Sequence, residues 1–148
     1  MKAPGTHDTG KVRLAGLSDT PLSLDKLLTA VSDPGVGGIA LFVGVVRNRD
    51  DDHDVVSLDY SNHPRAADIL AACAERVAAR HDVVAIAVEH RVGHLEVGDL
   101  AVVVAAGAMH RHPALAACRE LINELKADVP IWKEQHFASG ETAWVGLP

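Results

Sequence analysis

Aromatic side chains are scarce: two Trp, one Tyr and two Phe make up 3% of a 148-residue chain that is nonetheless 48% hydrophobic. Ala and Val carry the apolar content instead, so the expected core is a set of thin, closely packed layers. Cysteine is also rare. Cys73 and Cys118 stand far apart without a CxxC spacing, which offers no structural zinc site and points to a reducing cytoplasm. Both fall on or beside apolar stripes and are expected to be buried. No apolar run reaches the roughly 18–20 residues of a membrane span. Residues 1–10 (MKAPGTHDTG) have no apolar segment of the signal-peptide kind and read as a flexible tail. Excess positive charge is missing too. With 14 basic and 20 acidic residues the formal charge is −6, which excludes a general nucleic-acid or membrane-surface binder. An anionic ligand must be held by a local basic cluster.

What is present fits one domain, expected over residues 11–148, large enough to bury a core without disulfide or metal staples. Lys11 to Leu17 reads as a short strand. Thr20-Pro21 starts a helix, and Leu24, Leu27, Leu28 and Val31 share one of its faces. Asp33-Pro34-Gly35 is a turn. Gly38 to Val46 is a continuous apolar run, expected as a buried strand, and the charged stretch from Arg47 to Asp54 is expected as a mobile loop. Val56, Leu58 and Tyr60 alternate with polar residues as in a half-buried strand. A second helix is expected from Pro64 to Arg80, with Ala67, Leu70, Ala74 and Val77 inward. Val83 to Glu89 and Leu100 to Gly107 are further strands, connected through Gly93 and a Val97-Gly98-Asp99 turn. A third helix begins at Pro113, with Leu115, Cys118, Leu121, Ile122 and Leu125 as its stripe. Pro130 to Phe137 and Thr142 to Val145 form a hairpin turning at Ser139-Gly140. Strands that follow one another directly, mixed with helices, indicate a two-layer α+β domain more than a doubly wound parallel sheet.

Basic residues sit where elements end, which is where sites are usually built. Arg47 closes the apolar strand. His110 and Arg111 precede the third helix, whose unpaired N–H groups favour an anion; Arg adds a fork that matches phosphate. The plainer reading is a solvated pair ahead of a helix. Lys126, in the last turn of that helix, complements the helix dipole and needs no other role by itself. Lys133 lies beside Trp132 in an apolar segment. There an amine either snorkels or loses hydration, and its pKa then falls toward a range useful for proton transfer. The nine histidines include the pairs His90/His94 and His110/His112. With no HExxH motif, no cysteine to complete a site, and Gly93 breaking the first pair, no metal is expected.

Together, several segments resemble the large, catalytic subunit family of molybdopterin synthase. They are Phe42-Val43-Gly44-Val45-Val46-Arg47-Asn48, Val56-x-Leu58-x-Tyr60, His90-Arg91-Val92-Gly93-x-Leu95-x-Val97-Gly98 and Met109-His110-Arg111. Glu124-Leu125-Lys126, Val129-Pro130-Ile131-Trp132-Lys133-Glu134 and Trp144-Val145 complete the series, in family order over about residues 38–145. The resemblance implies an α/β hammerhead-like fold with an additional antiparallel β subdomain. It also implies a homodimer within a heterotetramer, each large subunit binding a small ubiquitin-like sulfur carrier. That carrier's C-terminal Gly-Gly thiocarboxylate would deliver sulfur to cyclic pyranopterin monophosphate, with no further cofactor. The implied substrate-binding positions are Val45, Val46, Arg47, His110, Arg111, Lys126, Lys133, Glu134 and Gln135, with Lys126 and Lys133 catalytic.

Two features depart from the family pattern. Gln135 stands where an acidic residue often follows the lysine by two places, with Glu134 displaced by one. The chain also ends at Pro148, where many members continue with a charged tail. Both features favour an alternative, a non-catalytic partner-binding homologue of the same fold; the retained lysines and His110-Arg111 argue for the enzyme. A histidine-rich metal-binding protein is the third reading.

Overall fold

A computed structural model describes residues 9–146. In chain order the elements are β1 (Val12–Ser18), α1 (Leu24–Val31), β2 (Gly38–Val45), β3 (Arg49–Asp50), β4 (His53–Asn62) and α2 (Ala66–Arg80). Then follow β5 (Ala85–Arg91), β6 (Gly93–Glu96), β7 (Leu100–Ala108), α3 (Arg111–Asp128), β8 (Ile131–Phe137) and β9 (Thr142–Val145). The mixture is α+β with a separate antiparallel sheet, as expected.

The first sheet has the order β1-β5-β7-β2, with β1 parallel to β5 and the other pairs antiparallel. Its central strands are apolar on both faces because both are covered. Val102 and Val104 pack with Leu70, Val77, Leu121 and Leu125 of α2 and α3, while Val103 and Ala105 pack with Leu27 and Val31 of α1. This period-two division explains why β7 reads as an unbroken apolar run. Alanines at Ala85, Ala87, Ala105, Ala106, Ala114 and Ala117 are buried, so helices and sheet approach closely without aromatic filler. Cys73 and Cys118 are buried free thiols, as expected.

The second sheet runs β3-β4-β8-β9, with β6 also pairing with β4. The two sheets meet where Val46, just past β2, packs with Leu58, Leu95 and Ala101, and Tyr60 lies against them.

Several local expectations need correction. In α2 the inward residue of the first turn is Ala66, and Ala67 is exposed. Helix α3 starts at Arg111 instead of Pro113; its stripe begins with Ala114, and Leu115 is 59% exposed. Starting two residues earlier lets His110 serve as the N-cap residue, although its side chain makes no capping bond. The stretch expected as a loop from Arg47 to Asp54 folds into a tight hairpin, with Asp51 at φ 45°. Its charges pair internally, Arg47 with Asp50 at 3.4 Å and Arg49 with Asp54 at 3.2 Å. The connection after Gly93 (φ 90°) contains the extra strand β6. The flexible tail expected over residues 1–10 lies, for residues 1–8, outside the described residues. Thr9 is tied down, its backbone N–H and hydroxyl both donating to the Glu75 carboxylate, at 3.0 and 3.1 Å.

Candidate functional site

Strand alternation sorts the second sheet into two chemically different faces. Leu58 and Tyr60 of β4 pair across the ladder with Gln135 and Lys133 of β8, and Leu58 with Leu95 of β6, so these residues share the inner face. Asp59, His94, Glu134 and His136 fall on the outer face. The inner face, the last turn of α3 and the end of β5 enclose a cavity of about 200 Å³. Tyr60, His90, Leu125, Lys126, Val129, Ile131, Lys133, Val145 and Gly146 line it.

The convergence of Lys126 and Lys133 follows from the local fold. Helix α3 ends at Asp128, and the chain turns at Val129 and Pro130 directly into β8. The last helical turn therefore overhangs the strand's inner face. Lys126 is exposed as a residue, yet its ammonium is crowded by protein: burial lowers its pKa, and the Lys133 charge lowers it further. Apolar walls and a second amine are the two environments that bring a lysine toward proton-transfer range. Among the described residues no carboxylate lines the cavity, so its described walls make a positive pocket in a protein of net charge −6.

His90 completes the wall. The ring is 2% exposed, and its Nδ1 lies 2.6 Å from the Arg91 carbonyl oxygen. A carbonyl only accepts, so Nδ1 carries the proton and the neutral ring keeps a free lone pair on Nε2. Burial lowers the pKa to about 4; the bond to the Arg91 carbonyl opposes that shift, and the Lys126 charge adds to it. Tyr60 meets the imidazole edge-on, with ring centroids 4.9 Å apart, and burial raises its phenol pKa.

Of the anion cradle expected from Arg47, His110 and Arg111, the His110-Arg111 pair is not beside the lysines within one chain. Arg111 and Lys126 lie at opposite ends of α3, and fifteen residues of helix separate them by about 22 Å. Arg111 packs by Gly38 at the start of β2, whereas Arg47 follows its end, about 23 Å away along the strand. The approach at the first of these ends is close: a Cβ on Gly37 would lie 2.4 Å from the Met109 carbonyl oxygen. Val45 is 50% exposed, and Val46 is buried where the two sheets meet. Gln135 is buried on the inner face, on the same side as Lys133. Glu134 projects from the outer face, so it cannot replace an acid at position 135.

A profile of the MoaE protein family matches residues 17–128. This chain belongs to the MoaE family. It is 45% identical to molybdopterin synthase catalytic subunit 1 of Mycobacterium tuberculosis over 135 residues, 88% of each chain. The solved molybdopterin synthase of Staphylococcus aureus superposes with a TM-score of 0.83 at 25% identity, covering 89% of this chain and 96% of that one. A Helicobacter pylori complex of subunits 1 and 2 of molybdopterin-converting factor shares the fold, with a TM-score of 0.68 at 19% identity over 90% of this chain and 89% of that one. The family match includes Arg47, His110, Arg111 and Lys126, and stops before Lys133.

His90 and Tyr60 carried no site role in the sequence reading, although both stood in family-like segments. The available signal was the alternation that puts Tyr60 on the face of Leu58. Nothing local marked His90 as a cavity residue, because β5 reads simply as a buried strand ending in polar residues.

Proposed function

We propose that this chain, acting as one unit over residues 11–148, is the catalytic subunit of a molybdopterin synthase. It would transfer sulfur from the thiocarboxylated Gly-Gly terminus of a small ubiquitin-like carrier to cyclic pyranopterin monophosphate, building the dithiolene in molybdenum cofactor biosynthesis. The observation that carries the proposal is the cavity that holds both Lys126 and Lys133, with no carboxylate among its described lining residues. An extended, slender Gly-Gly tail fits such an opening, and its thiocarboxylate anion is attracted by the two amines.

In each transfer the carrier's sulfur bonds to a pterin side-chain carbon while a C–O bond at that carbon breaks, its oxygen leaving with a proton, and water then cleaves the acyl C–S bond. The carrier leaves as a carboxylate and the sulfur stays on the pterin, so no electrons are exchanged and no redox group is required. Lys126 polarises the acyl carbonyl and moves protons; Lys133 offsets the negative charge that develops on oxygen.

Arg47, His110 and Arg111 bind the phosphate and pterin through a dimer. Strand β2 is an edge of its sheet, and Ile39, Leu41, Phe42 and Val45 are 39–50% exposed along it, with Met109 at 64% and Leu115 at 59% nearby. An exposed apolar edge calls for a partner. Antiparallel pairing of two β2 strands about a two-fold axis sets the Arg47 end of one copy beside His110 and Arg111 of the other, and an isologous contact makes two such sites. With one carrier per site the assembly is a heterotetramer.

Among the described residues no helix is long and apolar enough to cross a membrane. The two buried free thiols suit a reducing cytoplasm, where we place the reaction. The test is reconstitution of the purified chain with the pterin precursor and a thiocarboxylated carrier. Dithiolene product is the expected result; carrier binding without product would favour the non-catalytic homologue.

A further inference from the structure

The outer face of the second sheet holds a group of side chains that sulfur transfer leaves unused. Asp59 is at its centre. His94 Nδ1 lies 3.1 Å from one Asp59 oxygen, Oδ1, and His136 Nε2 lies 2.5 Å from the other, Oδ2. Glu134, directly across the ladder from Asp59, brings Oε1 to 3.9 Å from the same His136 Nε2, and Glu96 Oε2 is 3.5 Å from His94 Nε2. The ladder register creates this arrangement: His94 and Glu134 are the two cross-strand neighbours of Asp59, while Glu96 and His136 flank Ser57 one pleat along.

We infer that this face is a binding site for a divalent transition-metal ion such as Zn²⁺, with His136 Nε2, Asp59 Oδ2 and Glu134 Oε1 as its protein ligands. One ligand atom from each lies within 4.8 Å of the others, and all three residues are partly buried. Around a tetrahedral zinc with bonds of about 2.0–2.2 Å, ligand atoms are about 3.4 Å apart. The distances of 2.5 and 3.9 Å at His136 bracket that spacing, so rotamer-scale adjustment is enough. The ion replaces the proton that His136 and Asp59 share, and water fills the fourth position. His94 holds the other oxygen of Asp59, which is how ligating carboxylates are usually oriented.

Charge supports the same conclusion. Several other acidic groups have a guanidinium partner: Asp33 pairs with Arg13, Asp54 with Arg49, and Glu124 with Arg76 and Arg80. Among the described residues, Asp59, Glu96 and Glu134 have ion pairs with histidines alone. Among the described residues, these three carboxylates and two imidazoles have no lysine or arginine among their ion pairs. The imidazole content selects Zn²⁺, Cu²⁺ or Ni²⁺ over Mg²⁺ or Ca²⁺, which take all-oxygen ligands. A bound ion would clamp β4 to β8, the strand whose opposite face carries Lys133.

Isothermal titration of the metal-free full chain with Zn²⁺ tests this, with Co²⁺ visible absorption reporting coordination geometry. The expected result is one Zn²⁺ per chain with micromolar affinity, and a tetrahedral Co²⁺ spectrum. Asp59→Asn and His136→Ala should each weaken binding by about tenfold or more, and His63→Ala, outside the group, should leave it unchanged. His136→Gln preserves donation to Asp59 without an imidazole, so its loss of binding in a folded chain, checked by circular dichroism, counts the same way. Absence of stoichiometric binding, or equal affinity in the wild type, Asp59→Asn and His136→Gln, overturns the assignment.

Discussion

Burial of a neutral histidine in the lysine cavity should make this protein lose stability in mild acid, through one identifiable group. His90 is 2% exposed with a pKa of about 4, against about 6.5 in the unfolded chain. Between those values the unfolded chain binds a proton that the folded chain does not. Acid therefore pulls toward unfolding: the contribution is complete above about pH 6.5 and is lost as pH falls toward 4. Integrating the two titrations gives a loss of about 2 kcal/mol between about pH 7 and pH 5, and about 3 kcal/mol once pH reaches 4. Asp33, Asp59 and Glu120 also have lowered pKa values, but their stabilisation is lost only as carboxylates protonate, near and below pH 4. The perturbation is His90→Gln, which retains an amide N–H for the Arg91 carbonyl and cannot titrate. Urea unfolding at several pH values from 7 to 4.5 is the assay. The wild type should show the acid loss, and the variant, whatever its absolute stability, should be nearly flat over that interval. Parallel pH profiles for the two proteins would refute the argument, because the titrating group would then lie elsewhere.

Three other perturbations examine the site and its setting. Lys126→Ala should lower dithiolene formation in the reconstituted reaction by about 10²–10⁴-fold. Its thermal midpoint should move by only a few degrees, since a helix-end charge contributes at most about 1 kcal/mol; near-normal turnover would remove Lys126 from the chemistry. Mixing Lys126→Ala chains with Arg111→Ala chains should restore about a quarter of wild-type turnover, because half the randomised dimers are mixed and each has one intact site. No recovery on exchange would mean that both residues act within one chain. Gly37→Ala places a Cβ 2.4 Å from the Met109 carbonyl oxygen and should cost about 1–3 kcal/mol in urea unfolding; an unchanged midpoint would show that the segment before His110 yields freely.

Much of this protein is legible in the chain itself, wherever short-range periodicity and residue chemistry act together. The apolar runs at Gly38–Val45 and Leu100–Ala108 are strands, though the first is a largely exposed edge and not the buried strand expected; the 24–31 segment is a helix, and Gly140 (φ 91°) turns the last hairpin, because each depends on neighbours a few positions apart. The family resemblance also rests on local segments. Errors came where a local pattern had two solutions. Ala66 and Ala67 are equally apolar, and only the packing of α2 on the sheet chooses between them; Leu115 fits a helical stripe, yet it is exposed while Ala114 beside it is buried.

The site itself belongs to the tertiary structure. Lys126 and Lys133 are seven positions apart, on a helix and a strand, and no single periodicity relates them; they share a cavity because the chain reverses at Pro130 and registers Lys133 against Tyr60. His90 enters from a strand far along the chain, and its neutrality comes from burial that no neighbour in sequence imposes. Glu134 and Gln135 are adjacent in the chain and lie on opposite faces of one sheet, one by a His–carboxylate cluster and the other on the face that carries Lys133. Composition and local pattern determined which groups are available. Strand register and chain reversal decided which of them meet, because contact requires bringing distant backbone together, and only the folded core provides the energy for that.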